Sequence, residues 1–249
     1  MEFKNYIKQA GLDSKQYQQV GVDWCLEREH SRESCKGGII ADEMGLGKTI
    51  MMIGTMLQNF QMPNLIVLPL VLVEQWKEQF TRTTGHTPFV YHGASKKAIS
   101  IERLQKYPVI LTTYGTMISD NTSGKKLGQI SWKRVIFDEA HHLRNKRTKC
   151  FQSAKALQCE IKWLITGTPI QNHINDLYSL FDILDISNKI YTKTDELRAL
   201  MNTIVLKRTK KEVGIDLPNV HTTRICTKWQ NSNEQDLAAT VHDNIGLDK

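Results

Sequence analysis

With 249 residues, the chain is long enough to bury a substantial core as one large domain or two small ones. Its 40% hydrophobic and 24% charged residues are ordinary for a globular protein. No apolar run approaches the roughly 18 residues of a membrane span, and the polar start "MEFKNYIKQAGLDSK" lacks a secretory signal's apolar core, so no membrane partner and an intracellular location are expected. The net charge of +7 permits a polyanionic partner without requiring one. Five scattered cysteines with no C-x-x-C pair argue against a disulfide framework and against zinc.

In chain order, a helical segment "KQYQQVGVDWCLERE" comes first. It is followed by short apolar runs that alternate with longer amphipathic ones: "GGII", "NLIVLPL", "PFVYH", "PVILTTY", "RVIFDEA" and "IKWLITGT". These runs are rich in Ile, Val and Leu and too short for typical helices. Continuous apolar strands between helices predict a parallel sheet covered on both faces, an α/β doubly wound domain. Two amphipathic helices follow, "INDLYSLFDIL" and "TDELRALMNTIVL". The second places Leu197, Leu200, Met201, Ile204 and Val205 on one stripe. After Pro218 the pattern weakens into polar sequence. The expected organisation is one nucleotide-binding lobe over 1–218 and, over 219–249, a polar and mobile linker or the start of a further lobe.

Ligands of a doubly wound sheet sit at the carboxyl ends of its strands. Three segments follow strand runs and would share that rim. The first is "IIADEMGLGKTI". Aligned to G-x-x-x-x-G-K-[ST], it ends correctly in Gly47-Lys48-Thr49 but carries Asp42 where the first glycine stands. Such a loop works by aiming backbone N–H groups at a phosphate, and Gly45 and Gly47 leave the backbone free to curl. The following helix adds its N-terminus. On the loop alone, a glycine-rich turn with a surface lysine stays open as a reading. The second segment, "VIFDEAHH", offers Asp138 to hold Mg²⁺ and Glu139 to orient or deprotonate an attacking water. The third is "TGTP".

Together, "ADEMGLGKT", "DEAHH" and "TGTPIQN" resemble motifs I, II and III of the Swi/Snf-type ATPases, duplex-DNA translocases of helicase superfamily two. The family's own phosphate loop reads D-E-M-G-L-G-K-T, so Asp42 is at home in it. "KQYQQVGVDW" is similar to the family's Q motif, "LIVLPLVLVEQWKEQF" to motif Ia, "ILTTY" to motif Ib, and "LKRTKKEVGIDLP" to its closing L-R-R-x-K…L-P element. The resemblance runs from about Gln16 to Pro218. Val71 departs from the serine usual in motif Ia, and Lys15 from an arginine before the Tyr-Gln pair.

The resemblance implies the first RecA-like lobe of an ATPase that uses ATP and Mg²⁺ and binds double-stranded DNA through its backbone. Lys48 and Glu139 would be catalytic, and Thr49 and Asp138 would hold the metal. Gln18, Asp42, Glu43, Met44, Gly45, Leu46, Gly47, Lys48, Thr49 and Gln171 would surround the nucleotide, with Gln18 reading adenine. Pro69, Thr112, Thr113, Arg144 and Lys146 would meet DNA. A nucleus or other DNA-containing compartment follows. Motifs IV to VI, which bring arginines to the γ-phosphate, have no counterpart in this sequence. The resemblance therefore implies a second RecA-like lobe as partner in cis and a nearly inactive 249-residue chain. Two alternatives stand beside it: the lobe of a DExH-type RNA helicase, and a non-catalytic nucleotide- or partner-binding module.

Overall fold

Alternate residues of the apolar runs point to opposite faces of a strand, and here both faces are dry. In the computed structural model, Ile39, Leu65, Val67, Ile110, Val135, Phe137 and Leu164 enter one core, while Ile40, Ile66, Leu68, Leu111, Ile136, Trp163 and Ile165 enter the other. The structure describes residues 3–33, 35–94, 96, 99–123, 126–169, 173–215, 223 and 231–245.

The strands are β1 (Lys36–Ile40), β2 (Asn64–Leu68), β3 (Phe89–Tyr91), β4 (Val109–Thr113), β5 (Trp132–Asp138), β6 (Cys159–Ile165) and β7 (Val205–Leu206). They form one parallel sheet in the order β3-β4-β2-β5-β6-β1-β7. The expected doubly wound α/β fold is therefore present. β6 lies between β1 and β5, with Ile40 and Asp138 both in register with Ile165. The segments after these three strands consequently emerge side by side on one rim.

One face is covered by helices α1 (Phe3–Gln9), α2 (Gln16–His30), α3 (Lys48–Gln58) and α4 (Val73–Thr84). Helix α1 was not expected from the polar N-terminus. It forms because Phe3, Tyr6 and Ile7 make an i, i+3, i+4 stripe that buries completely. The other face is covered by α5 (Ile101–Leu104), α6 (Tyr114–Ser123), α7 (Lys149–Lys155), α8 (Ile174–Ile183), α9 (Asn188–Tyr191) and α10 (Thr194–Ile204). One boundary needs correction. The stripe expected to run through Val205 breaks after Ile204, because Val205 turns to extended backbone and pairs with Ile39 at the free edge of β1.

The chain divides into two compact units, Met1–Ile215 and Asp216–Lys249. Within the second, where a linker was expected, the described residues hold helix α11 (Ser232–Ile245), whose start is capped by Asn231 Oδ1 accepting the Glu234 N–H at 2.9 Å.

Candidate nucleotide site on the sheet rim

The phosphate-loop segment links β1 to α3. Gly47, in the left-handed region at φ 80°, stands at the N-cap of α3. A side chain there would also collide with Gln18, since a Cβ would lie 2.3 Å from its Nε2. Glycine is thus required twice over, by conformation and by space. Gln18 is buried, and its Nε2 donates to the Leu46 carbonyl at 3.2 Å. The Q-motif glutamine is therefore seated on the loop itself.

Lys48 curls back over the same loop. Its ammonium donates to the carbonyls of Asp42 at 2.8 Å and Glu43 at 3.3 Å. Burial holds its pKa below the ordinary lysine value, against the opposing pull of Asp42, Glu139 and Asp138. Motif III reaches the same point: a Cβ on Gly167 would lie 4.0 Å from the Lys48 Nζ. Thr166 anchors that loop to β1 through its N–H on the Ile40 carbonyl at 3.0 Å.

The loop's acidic side chains are engaged within the protein. Asp42 is completely buried, and both its oxygens accept from Arg208. Glu43 accepts the Lys210 N–H at 2.8 Å. Leu46 is buried, and Met44 is 72% exposed at the loop tip. Gln171 lies outside the described residues.

On β5, Asp138 is almost buried. Trp76 Nε1 donates to its Oδ2 at 2.6 Å, and the Glu139 N–H donates to its Oδ1 at 2.9 Å. Burial raises its carboxyl above the ordinary aspartate value, and the two hydrogen bonds offset that only in part. Glu139 adopts a left-handed φ of 51°, uncommon without glycine, which swings its side chain off the strand. Its Oε2 comes within 3.0 Å of His141 Nδ1, but out of line for a hydrogen bond. His141 stacks on His142 at 4.6 Å, and His142 lies against Tyr114, whose hydroxyl donates to the Asp138 carbonyl.

No pattern in the sequence signals the Trp76 indole N–H on Asp138; only the fold brings the two together.

Of the residues expected to meet DNA, Pro69 and Thr113 border one groove of about 600 Å³, with Lys96 and His142. Arg144 and Lys146 border another. Lys146 is engaged by Asp182 and lies 6.0 Å above the Tyr191 ring. Thr112 is a correction. It is fully buried and donates its hydroxyl to the Tyr91 carbonyl at 2.9 Å, so it serves the sheet and presents no surface to a ligand.

The donor set suits magnesium triphosphate. A hydroxyl on Thr49 and a carboxylate on Asp138 are hard oxygen ligands, and Lys48, held among the described residues by backbone carbonyls, is a cation that a phosphate can recruit.

With this geometry in view, the comparisons are decisive. The model of the SNF2-related domain matches residues 17–238. The chain belongs to the SNF2-related domain family. It is 33% identical over 249 aligned residues to chromodomain-helicase-DNA-binding protein 8 of Danio rerio, covering 87% of this chain. It is 30% identical to chromodomain-helicase-DNA-binding protein 6 of Mus musculus, covering 94%. It spans only 10% of the length of each of these relatives. Among solved structures, it is similar to the Sulfolobus solfataricus SWI2/SNF2 ATPase core in complex with dsDNA. That match has a TM-score of 0.70 and 28% identity, and covers 82% of this chain and 46% of that one. The Sulfolobus solfataricus SWI2/SNF2 ATPase core domain matches at a TM-score of 0.68 and 29% identity. This SNF2-related lobe thus carries the RecA-like fold, with motifs I, II and III converging on one rim.

Proposed function

We propose that this lobe binds and hydrolyses ATP with Mg²⁺, as the first half of a DNA-dependent motor that translocates on duplex DNA together with a second RecA-like lobe in cis. The observation that carries this reading is the meeting of Lys48, Asp138, Glu139 and Gly167 at the ends of three neighbouring strands. Lys48 would leave its own loop's carbonyls for the phosphates. Thr49 and Asp138 would hold Mg²⁺, which when bound neutralises charge on the β- and γ-phosphates.

Glu139, 28% exposed and, among the described residues, unpinned by any N–H donor like those on Asp138, would orient and deprotonate the attacking water. The division of roles between the two acids follows from their surroundings. Asp138 is fixed by two donors, as a ligand must be; Glu139 is set forward by its own strained backbone.

A second lobe is supported by proportion, since this chain covers under half of the solved SWI2/SNF2 core. Pro69 and Arg144 would face DNA phosphates, with Thr113, buried and donating its hydroxyl to Thr116 Oγ1, behind the same groove as Pro69. Lys146 would join them on release from Asp182. Contacts of that kind carry no sequence information, so binding is expected to be sequence-tolerant and salt-sensitive. A DNA-containing compartment, such as a nucleus, follows from that substrate.

The relatives' names speak of DNA binding and the solved neighbour is a SWI2/SNF2 core, which favours this reading over the RNA helicase. The test is ATP turnover by the protein with its second lobe, with saturating duplex DNA against single-stranded RNA. Duplex DNA should stimulate strongly. Equal or greater stimulation by RNA would overturn the substrate assignment, and absence of turnover with either would favour the non-catalytic module.

A further inference from the structure

The aspartate standing where a phosphate loop usually has glycine is fully buried and bonded through both oxygens to one guanidinium. Arg208 Nε donates to Asp42 Oδ1 at 3.1 Å and its Nη2 to Oδ2 at 2.5 Å, the two-pronged geometry of a strong charge-assisted pair. The third nitrogen, Nη1, donates to the Tyr17 carbonyl on α2 at 2.5 Å, and the guanidinium lies 5.7 Å from the Tyr17 ring centroid. Gly21 makes room for it. A Cβ there would come 2.9 Å from Arg208 Nη2 and 2.5 Å from Met51 Sδ on α3. One side chain thus ties together the Q-motif helix, the phosphate loop and the helix that follows it.

Arg208 sits on the strand segment that leaves β7. The β1–β7 ladder continues past the strands, with the Ala41 N–H on the Leu206 carbonyl at 2.7 Å and the Glu43 N–H on the Arg208 carbonyl at 2.9 Å. Glu43 in turn takes the Lys210 N–H, and the Lys210 ammonium lies 3.7 Å from its Oε1. Residues 42 and 43 therefore hold two sets of partners at once. Their carbonyls hold Lys48, and their carboxylates hold the 208–210 segment.

We propose that Asp42 and Glu43 form a latch with Arg208 and Lys210, through which occupancy of the phosphate loop is transmitted to the chain leaving the lobe. Arg208 is a positioning residue in this scheme. Its guanidinium is taken up by Asp42 and the Tyr17 carbonyl, and it sets the loop that would meet the phosphates. The inference rests on the nucleotide reading above. When Lys48 leaves the carbonyls of Asp42 and Glu43 for a phosphate, the backbone it releases is the backbone whose side chains grip Arg208 and Lys210. Nucleotide binding and the setting of residues 205–213 must then bias one another, by the same factor in each direction.

The test uses the 249-residue chain, a fluorescent ATP analogue with Mg²⁺, and backbone hydrogen exchange. In the wild type, Mg·ATP should change exchange across 205–213. Asp42→Asn and Arg208→Lys keep bulk but lose the forked ion pair. Each should weaken Mg·ATP binding by about ten-fold and leave exchange at 205–213 insensitive to nucleotide. A change confined to stability would not remove that sensitivity. Should either variant fail to fold, Glu43→Gln carries the test, since this carboxylate is 42% exposed; faster exchange at the Lys210 N–H and weaker binding are expected. Folded variants that bind like wild type, or wild-type exchange at 205–213 that ignores Mg·ATP, would overturn the latch alone. A wild-type chain that binds no Mg·ATP would overturn the nucleotide reading, and the latch with it.

Discussion

Removing Glu29 should be among the most damaging single changes in this lobe. Glu29 and Arg134 are both wholly buried near the end of the sheet opposite the nucleotide rim. Arg134 donates Nε to Oε1 at 2.6 Å and Nη2 to Oε2 at 2.5 Å. Trp163 Nε1 adds a bond to Oε1 at 2.8 Å, and Asn59 Nδ2 one to Oε2 at 2.7 Å. Glu29→Leu leaves the guanidinium only the Asn64 side chain at 2.7 Å and the Asn59 carbonyl at 3.1 Å, neither of them charged.

Stranding one member of a buried pair costs about 3–5 kcal/mol. For a unit of this size each kcal/mol moves Tm by about 2–4 °C, so melting should fall by about 6–20 °C. Replacing both charges, as in Glu29→Leu with Arg134→Met, removes the stranded ion and should recover part of that loss. Recovery stays incomplete, because Asn64 Oδ1 and the Trp163 indole N–H then lack partners at about 1–3 kcal/mol each. Urea unfolding followed by far-UV circular dichroism reads the whole cycle. A single Glu29→Leu variant within about 1 kcal/mol of wild type, or a double variant as unstable as the sum of the singles, would refute the reasoning.

Three further outcomes are expected at the rim. Lys48→Ala in the protein with its second lobe should abolish ATP turnover while thermal unfolding stays cooperative; wild-type turnover would remove Lys48 from the phosphates. Glu139→Gln should still bind Mg·ATP, through Asp138 and Thr49, yet fail to turn it over, since an amide cannot act as a base; loss of binding in a folded variant would reverse the two acids' roles. The 249-residue chain by itself should hydrolyse ATP barely above background even with saturating duplex DNA, because arginines supplied across a cleft are worth about 10³–10⁵ in rate. Steady-state turnover near 1 s⁻¹, the low end of typical enzyme rates, would show that a second lobe is unnecessary.

The strands were legible because a parallel sheet buried on both faces writes itself as unbroken Ile, Val and Leu, and the three rim motifs were legible because each follows such a run. Helix α2 was harder to interpret. Its buried stripe is Gln18, Gly21, Val22, Cys25, Arg28 and Glu29, in which apolar periodicity is lost. The polar positions are explained only by what they meet: the phosphate loop at one end, Arg134 and the Gly37 carbonyl at the other. Thr112 misled for a related reason. A strand-end threonine in a DNA-tracking motif and a threonine bonded to its neighbour strand look alike in sequence, and only burial separates them. Val205–Leu206 was read as helix because two residues are too few to show a period, whereas the open edge of β1 decides their conformation.

The two ends of the sheet treat their charges in opposite ways, and the difference follows from function. At the Arg134 end every guanidinium nitrogen has a partner and both charges are dry, so the pair is a fixed point that gains nothing from moving. At the rim the charges are held in arrangements a ligand can improve. Lys48 has only carbonyls, with its pKa depressed by burial. Asp138 carries a carboxyl that burial pushes toward its protonated form, and Glu139 keeps a left-handed backbone without glycine. Each of these is a small cost to the lobe that Mg²⁺ and phosphate would relieve. Ligand binding should therefore stabilise this lobe more than new contacts alone would. The Arg208 latch lies between the two regimes. Its carboxylate is as dry as the Arg134 pair while its guanidinium is only partly buried, and it is built on the loop that must change, which makes it the place where relief at the rim can be felt by the rest of the chain.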